Sequence, residues 1–256
     1  MESTIEKMVI NNAAWFTHWF DSAYYHKLYS HRDEKEAAHF IDELIDVLQP
    51  VPQSKMLDLG CGNGRHSKYL ASKGFDVTGM DLAASSILTA KKSANASLRF
   101  YRHDMRVPFG NNYFDQVFSF FTSFGYFKTA EEDDRVIKNI ATSLKNQGTL
   151  ILDYINSPYA ERKLVPAETK ETDGVMYHIT RWMDKRHFFK KIVIEDIQPG
   201  PPFEYTERVA KFSVDDFDRM FSRNGLQLQQ VYGDYSLNDY DHVGSPRLIL
   251  LAKKRV

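Results

Sequence analysis

The stretch Met56-Leu57-Asp58-Leu59-Gly60-Cys61-Gly62-Asn63-Gly64 decides the fold of this chain. It begins as a short buried strand, Lys55–Leu59, and then places glycine at alternate positions. The segment from Arg65 to Lys73 predicts a helix, which Gly74 ends. Strand, glycine turn and helix together are typical of the opening unit of a doubly wound α/β domain that holds an adenosine-type ligand.

The spacing of the glycines distinguishes between two kinds of ligand. A dinucleotide fingerprint reads G-x-G-x-x-G, and its third glycine packs the helix against the strand. Here the pattern is G-x-G-x-G, and Arg65 stands where that third glycine would fall. An acid, Asp58, precedes the first glycine by two positions. An NAD-linked oxidoreductase is therefore disfavoured, and a glycine-rich turn without any ligand is the plain structural alternative.

Two acidic residues follow the next predicted strands. Asp81 ends the second strand, 75–80, where its carboxylate is placed to accept both ribose hydroxyls of an adenosine. The alternative for Asp81 is a simple cap on the helix predicted over 82–93. Asp104 follows the third strand, 98–102, and is placed to bind the adenine exocyclic amine while Met105 packs against the ring.

The rest of the chain predicts further strands and helices. The fourth strand leads through Phe120 and Phe121 into the loop 122–127, which should face the ligand because open α/β sheets bind at the carboxyl ends of their strands. After a helix over 131–146 and a fifth strand over 149–154, the pattern becomes antiparallel β over 165–212, with turns such as 198–202. The last elements are a helix, 213–224, and two strands, 226–232 and 247–253. The sequence predicts one domain over 1–256, made of an N-terminal aromatic segment, 1–32, a core, 33–158, the insertion, 165–212, and C-terminal elements, 213–256.

The amino-acid composition limits the classes of protein to which this chain can belong. The formal net charge is −1 and 43% of residues are apolar, which fits a packed core and gives no general attraction to nucleic acid or an anionic membrane. Cys61 is the single cysteine, so the chain has no internal disulfide framework. With neither a signal peptide nor a long apolar run in the sequence, we predict a cytoplasmic protein that binds no nucleic acid and no membrane.

The successive motifs Gly60-x-Gly62-x-Gly64, Asp81 and Asp104-Met105 resemble those of the Rossmann-like (class I) S-adenosylmethionine (SAM)-dependent methyltransferases. More narrowly, the sequence resembles a bacterial subgroup whose small-molecule acceptors are mostly unassigned, through Trp19-Phe20, Tyr24-Tyr25, Tyr29, Arg32, Gly64-Arg65-His66-Ser67, the run 121–127, Tyr232-Gly233-Asp234-Tyr235 and Ser245-Pro246-Arg247. The resemblance implies an α/β fold with a Rossmann-like seven-stranded, mostly parallel sheet, its last strand antiparallel, helices on both faces and an antiparallel β insertion after strand five.

The resemblance also implies the cofactor, SAM, and the residues that hold it. The cofactor residues predicted in the core are Asp58, Gly60, Cys61, Gly62, Asn63, Gly64, Asp81, Leu82, Asp104, Met105, Phe120 and Phe121. No metal is expected. The acceptor residues predicted in the loop after the fourth strand are Phe124 and Tyr126.

The implied reaction is an in-line methyl transfer to an oxygen or nitrogen atom of a small molecule, in a monomer or homodimer. An Asn/Asp-Pro-Pro-Tyr/Phe signature is absent after strand four, and cytosine C5 methylation needs a cysteine nucleophile, whereas Cys61 lies in the cofactor turn. Possible general bases are His18, His26, His178, Tyr126 and Asp153, with none preferred. The alternatives are a non-catalytic SAM-binding regulatory protein and an RNA or protein methyltransferase.

The aromatic N-terminal segment has two interpretations. It contains Trp15, Phe16, Trp19, Phe20, Tyr24, Tyr25 and Tyr29. A helix continuing through Tyr25, Tyr29 and Arg32 would set these three near one face, where they are predicted to meet the carboxylate of SAM. Trp19 and Tyr24 are predicted to contact the acceptor. In this first interpretation the segment is a mobile lid whose aromatic side closes over SAM and the acceptor. The competing interpretation is static packing of the aromatic rings on the rest of the protein.

Overall fold

The computed structural model describes residues 15–29, 34–196 and 203–255. The chain divides into two compact units, which we call the small unit (Met1–Arg32 with Lys163–Lys211) and the large unit (Asp33–Arg162 with Phe212–Val256). The N-terminal aromatic segment and the β insertion, which are far apart in the sequence, thus share one unit. Each unit has its own sheet and its own core.

The large unit contains the predicted seven-stranded sheet, in the order β10-β11-β5-β4-β1-β2-β3. Its strands are β1 Lys55–Leu59, β2 Asp76–Asp81, β3 Leu98–Arg102, β4 Phe114–Ser119, β5 Leu144–Ile155, β10 Leu226–Tyr232 and β11 Arg247–Lys254. The pairs from β5 through β4, β1 and β2 to β3 are all parallel, and β11 is antiparallel to both of its neighbours. The predicted fold class is confirmed, including the antiparallel last strand.

Helices connect these strands. The helices of the large unit are α3 Glu34–Leu48, α4 Arg65–Ser72, α5 Ala84–Ala90 followed by a 3-10 turn Lys91–Ser93, α6 Ala130–Ser143, α7 Ser157–Arg162 and α8 Val214–Arg223. A capping box between Thr129 and Glu132 starts α6. The sequence predicts that this helix runs to residue 146. In the structure it ends at Ser143, because Leu144 already pairs with Phe114 as the first residue of β5.

The small unit is an antiparallel sheet with two short helices. Its strands, in sheet order, are β6 Ala167–Thr172, β7 Val175–Met183, β8 His187–Glu195 and β9 Phe203–Ala210. The helices are α1 Trp15–Trp19 and α2 Ala23–Leu28. One face of the sheet, with Tyr177, Ile179 and Ile192, packs against Trp19 and Leu28 in a core of its own. The antiparallel character of the insertion is confirmed.

The expected continuous helix through Arg32 is wrong. The hydroxyl of Ser22 donates to the carbonyl of Trp19 and accepts from the amide of Tyr25, so it follows the end of α1 and caps the start of α2. Helix α2 ends at Leu28, and Tyr29 already has a non-helical backbone. Arg32 lies outside the described residues. In the described part of the chain, no helix is long and apolar enough to cross a membrane.

Candidate active site

The glycine turn after β1 needs glycine for two different reasons. All three glycines have a left-handed backbone, with φ of 83° at Gly60, 54° at Gly62 and 78° at Gly64. A Cβ on Gly60 would lie 2.6 Å from the Cβ of Ser123, and one on Gly64 would lie 2.6 Å from the ring of Phe100. A Cβ on Gly62 would meet no atom within 4 Å. Gly60 and Gly64 are therefore required by packing, whereas Gly62 borders open space in which a ligand can lie.

Asp81 ties the end of β2 to this turn. One carboxylate oxygen accepts from the amide of Gly62 at 2.8 Å, and the other accepts from the amide of Ala83, the residue before α5, at 2.8 Å. Asp81 therefore does not cap α5, whose N-cap residue is Ala83 and has no side-chain cap bond; its carboxylate ties the glycine turn to the approach to that helix.

Asp58 is a buried acid beneath the turn. Its residue is 1% exposed, one oxygen accepts from the hydroxyl of Ser67 at 2.6 Å, and the other oxygen has no partner among the described residues. Burial, opposed by the Ser67 hydrogen bond and reinforced by the charge of Asp81, raises the pKa of the Asp58 carboxyl to about 6. An acceptor left unsatisfied in the core fits a site completed by a ligand that carries a donor.

Asp104 is held by an arginine that the sequence analysis did not assign. The amide of Arg106 donates to one carboxylate oxygen at 2.9 Å, and its guanidinium reaches the other at 2.7 Å. The same guanidinium bonds Glu132 at 2.6 Å, in the capping box of α6. Partial burial alone would raise the pKa of Asp104, but the Arg106 hydrogen bonds overcome it and lower that pKa. Asp104 is thus an oriented, ionised acceptor at the end of β3.

The turn after β4 has a strained backbone. Phe121 and Thr122 both lie in the left-handed region, with φ of 55° and 59°, and such a conformation costs a non-glycine residue on the order of 1–3 kcal/mol. The turn lies beside the glycine turn, since Gly60 and Ser123 are in close contact. At the start of α4, the guanidinium of Arg65 lies 4.8 Å from the centre of the Phe121 ring. The His66 ring packs in a tilted arrangement on the ring of Phe120, with 4.5 Å between the ring centres.

A buried acid in β5 holds this turn in place. Asp153 accepts from the amide of Phe121 at 2.8 Å and from the Nε of Arg247 at 2.7 Å, and its side chain is fully buried. The hydroxyl of Tyr235 donates to the same carboxylate at 3.1 Å. Burial and the neighbouring carboxylate raise the pKa of Tyr235 far above its ordinary value, so the hydroxyl stays a donor. This set of partners leaves Asp153 poorly suited to act as a general base.

Other candidate bases are also engaged or exposed. The hydroxyl of Tyr126 donates to the carbonyl of Thr122. His178 lies on the small-unit sheet, 3.5 Å from Glu195, and His18 is exposed on α1. The contacts of the two predicted bases in the large unit, Tyr126 and Asp153, therefore favour neither as the general base.

The predicted acceptor residues Trp19 and Phe124 have packing roles. Trp19 is fully buried and donates its indole N–H to Glu207 at 2.7 Å. Phe124 is 1% exposed and packs against Tyr154 and Phe217.

The tyrosines predicted to contact cofactor or acceptor lie in the small unit and bond within it. Tyr24 donates to Asp196 at 2.9 Å, and Tyr29 bonds the amine of Lys190. Tyr25 packs against the ring of Tyr29 at 4.9 Å. Burial lowers the pKa of Lys190, although Glu207 opposes this effect. The part of the site predicted on these residues stays a prediction.

The large-unit residues converge at one edge of the sheet. The amides of Gly60 and Cys61 bond the carbonyl of Met80, and the amide of His103 bonds the carbonyl of Asp81, so the ends of β1, β2 and β3 are adjacent. The unsatisfied oxygen of Asp58, the open side of Gly62 and the carboxylates at the ends of two strands fit a nucleoside with an amino-acid tail. Among the described residues, no three metal-binding side chains are grouped to hold an ion.

Substitution of Asp81 tests its role. We expect Asp81→Ala to weaken binding of SAM by about 1.5–3 kcal/mol, because hydrogen bonds to a charged carboxylate are lost. The free energy of unfolding should fall by about 1 kcal/mol, because the amides of Gly62 and Ala83 lose a hydrogen-bond acceptor. Titration calorimetry and urea unfolding measure the two effects. Asp76→Ala, at the opposite end of β2, is the control and should leave SAM affinity unchanged. An unaltered affinity in folded Asp81→Ala would show that Asp81 only holds the glycine turn to the approach to α5.

Comparison with known proteins identifies relatives of the chain. A family described as a methyltransferase domain matches residues 56–148. A Bacillus subtilis protein named as a methyltransferase, YqeM, is 29% identical over 79% of this chain and 85% of its own length. The dTDP-3-amino-3,4,6-trideoxy-alpha-D-glucopyranose N,N-dimethyltransferase of Streptomyces venezuelae is 30% identical over 82% of this chain and 91% of its own length.

A solved structure has a similar fold. The crystal structure of a SAM-dependent methyltransferase from Clostridium acetobutylicum superposes with a TM-score of 0.76. It is 19% identical, and the match covers 94% of this chain and 98% of that one. At this identity the likeness concerns the fold alone.

Proposed function

This chain belongs to the Rossmann-like SAM-dependent methyltransferases, and from that premise we propose that it methylates an amino group on a small, hydroxyl-bearing molecule. The observation that carries the proposal is the convergence of four strand ends at one edge of the sheet. We place the cofactor and acceptor in a single space there, bordered by the open side of Gly62, the carboxylates of Asp81 and Asp104 and the turn after β4. Methyl transfer to an oxygen atom is the alternative that the same space allows.

Each part of this edge has a defined task in the proposal. SAM supplies, when bound, a methyl group on a positively charged sulfur atom. Asp81 would bind the ribose, Asp104 the adenine amine, and Asp58 the ammonium of the amino-acid tail. Phe120 is buried against His66 and Phe118 and would support the turn from below, whereas the ring of Phe121 would help to exclude water. Alignment of nucleophile and methyl group is worth up to about 7–11 kcal/mol of barrier, so positioning is the main contribution of the protein.

The choice of nitrogen rests on two considerations. The Streptomyces venezuelae relative is named as a dimethyltransferase of an amino sugar. In addition, an unprotonated amine is a sufficient nucleophile by itself, which suits a site whose predicted bases Asp153 and Tyr126 are already hydrogen-bonded. A hydroxyl acceptor would require a base to remove its proton.

A release assay tests the proposed function. The protein is incubated with SAM and single compounds from a panel of amino sugars, the same sugars with hydroxyl in place of amine, and simple amines. Formation of S-adenosylhomocysteine is followed together with the mass of the product. Turnover only with amine-bearing compounds is expected. Turnover with the hydroxyl analogues alone would favour oxygen methylation. Calorimetry should show binding of S-adenosylhomocysteine and none of NAD; NAD binding alone would refute the assignment of the site.

The contact between Arg106 and Asp104 leads to a prediction about the preference of the site for adenine. We expect wild-type protein to prefer S-adenosylhomocysteine over S-inosylhomocysteine, in which a carbonyl replaces the adenine amine, by about tenfold or more. Arg106→Ala should reduce this preference to about threefold or less, since the carboxylate of Asp104 is no longer oriented. Competition binding measures both ligands. Arg219→Ala, an exposed arginine that pairs with Asp216 in α8, is the control. An unchanged preference in Arg106→Ala would show that Asp104 needs no support.

A further inference from the structure

We propose that Arg247, Asp153 and Thr122 form a brace that positions the turn after β4 against the amino-acid tail of the cofactor. The inference deepens the proposed function and rests on it. None of the three is a catalytic residue in this proposal, because each acts through the backbone of the turn.

The brace links three distant parts of the chain. Arg247 begins β11 and bonds Asp153 in β5 through its Nε, at 2.7 Å, while its Nη2 donates to the hydroxyl of Thr122 at 2.9 Å. Asp153 in turn accepts from the amide of Phe121 at 2.8 Å, and its own carbonyl accepts from the amide of Thr122 at 3.0 Å. Side chain and backbone of the turn are therefore both anchored to the sheet.

The contacts explain why an unfavourable backbone persists. Two consecutive residues in the left-handed region, one of them β-branched, are maintained only where the surroundings over-determine the conformation. Here both amides of the strained pair and the Thr122 hydroxyl have fixed partners. Strain of this kind concentrates at ligand-binding sites, where it pre-orders the backbone.

The C-terminal loop completes the support. Tyr235 donates to Asp153 and packs its ring at 4.6 Å on Phe40 and at 5.5 Å on Phe121. Beside it, a Cβ on Gly233 would collide with the Ser245 hydroxyl, and the carbonyl of Gly233 accepts from the amide of Arg247. The sequence motifs around residues 232–235 and 245–247 are therefore explained as parts of one scaffold for the turn.

The position of the turn predicts which part of the ligand depends on it. Ser123 lies against Gly60, and the ring of Phe121 lies under the guanidinium of Arg65 at the start of α4. Both neighbours closely follow Asp58 in the chain, and Asp58 is the residue proposed above to bind the ammonium of the amino-acid tail. The adenosine end of the ligand is assigned instead to Asp81 and Asp104. A defect in the brace should therefore weaken the binding of the amino-acid tail and leave the binding of the nucleoside unchanged.

Two ligands that differ only in the tail provide the test. S-adenosylhomocysteine carries the amino-acid tail, and 5′-methylthioadenosine has the same nucleoside and sulfur without it. In Arg247→Lys, whose ammonium lacks the fork of separate nitrogens that reaches Asp153 and Thr122, we expect affinity for S-adenosylhomocysteine to fall about tenfold or more. Affinity for methylthioadenosine should stay within about twofold of wild type, since its contacts are untouched.

A pair of variants at Thr122 distinguishes loss of the hydroxyl contact from a general folding defect. Thr122→Ala removes the hydroxyl and should weaken S-adenosylhomocysteine selectively, whereas Thr122→Ser keeps it and should restore the wild-type ratio of the two affinities. Arg223→Lys, in an exposed arginine–aspartate pair between α8 and α6, is the control that should change neither. Equal losses for both ligands, or no loss for either, would overturn the brace. Wild-type protein that binds neither ligand would refute the proposed function as well.

Discussion

The variant Asp153→Ala is expected to be less stable than wild type by about 3–5 kcal/mol in its free energy of unfolding, the usual cost of breaking a buried ion pair from one side. The side chain of Asp153 is fully buried, and that of its partner Arg247 is only 20% exposed. Burial alone would lower the pKa of Arg247, but the charge of Asp153 overcomes it and raises that pKa. Without the carboxylate, the guanidinium, the Phe121 amide and the Tyr235 hydroxyl all lose a partner.

Urea unfolding followed by circular dichroism measures this loss. The double variant Asp153→Leu with Arg247→Met should recover part of the stability, because no buried charge is left unpaired, although the Phe121 amide and the Tyr235 hydroxyl still lack a partner. It should nevertheless bind S-adenosylhomocysteine poorly, which separates stability from positioning. Asp134→Ala, in the exposed pair with Arg223, is the matched control and should cost about 1 kcal/mol or less. A similarly small cost for Asp153→Ala would contradict the structure of the pair.

The second large effect concerns Asp58 and depends on pH. Its pKa of about 6 in the folded protein exceeds the ordinary value of about 3.9, and a difference of this size corresponds to about 3 kcal/mol. Because the folded pKa is the higher one, the folded state binds the proton more tightly. The stabilising contribution of Asp58 is therefore complete below about pH 4 and is lost as the pH rises through 6.

Asp58→Asn removes this pH dependence. The amide keeps an oxygen that accepts from Ser67, but its N–H groups gain no assured partner, a cost of about 1–3 kcal/mol at every pH. We therefore expect the variant to be less stable than wild type at pH 4, and to gain about 3 kcal/mol relative to it between pH 4 and pH 8. Chemical unfolding at both pH values measures the difference. A constant difference in free energy across this range would show that Asp58 titrates normally.

Cofactor binding provides a second comparison for Asp58. If its unsatisfied oxygen receives the ammonium group of the cofactor, Asp58→Asn should weaken S-adenosylhomocysteine while leaving methylthioadenosine, which has no ammonium group, unaffected. Substitution of Asp46, at the surface of α3, by Asn is the control and should leave both affinities unchanged. Unchanged S-adenosylhomocysteine affinity would assign Asp58 to the core alone.

The sequence by itself determined the fold class, the order of the core motifs and the family. These follow from local rules. The turn after β1 needs a left-handed backbone, which Gly60, Gly62 and Gly64 adopt without strain. The parallel sheet brings the acids that follow β2 and β3 to the same edge. Such features depend on neighbours in the chain or on a topology that few alternatives satisfy. They could be predicted without knowledge of any distant contact.

Only the tertiary structure decided which distant residues meet. Asp153 was one of five possible bases in the sequence, but a partner 94 positions away, Arg247, engages it in a buried ion pair. The aromatic segment was predicted as one helix, whereas Ser22 divides it, and its Trp19 is buried with the β insertion in the small unit. Long-range pairing depends on the packing of whole elements, which spacing along the chain does not encode. That packing, and not the motif, determines whether a polar residue binds a ligand or holds the protein together.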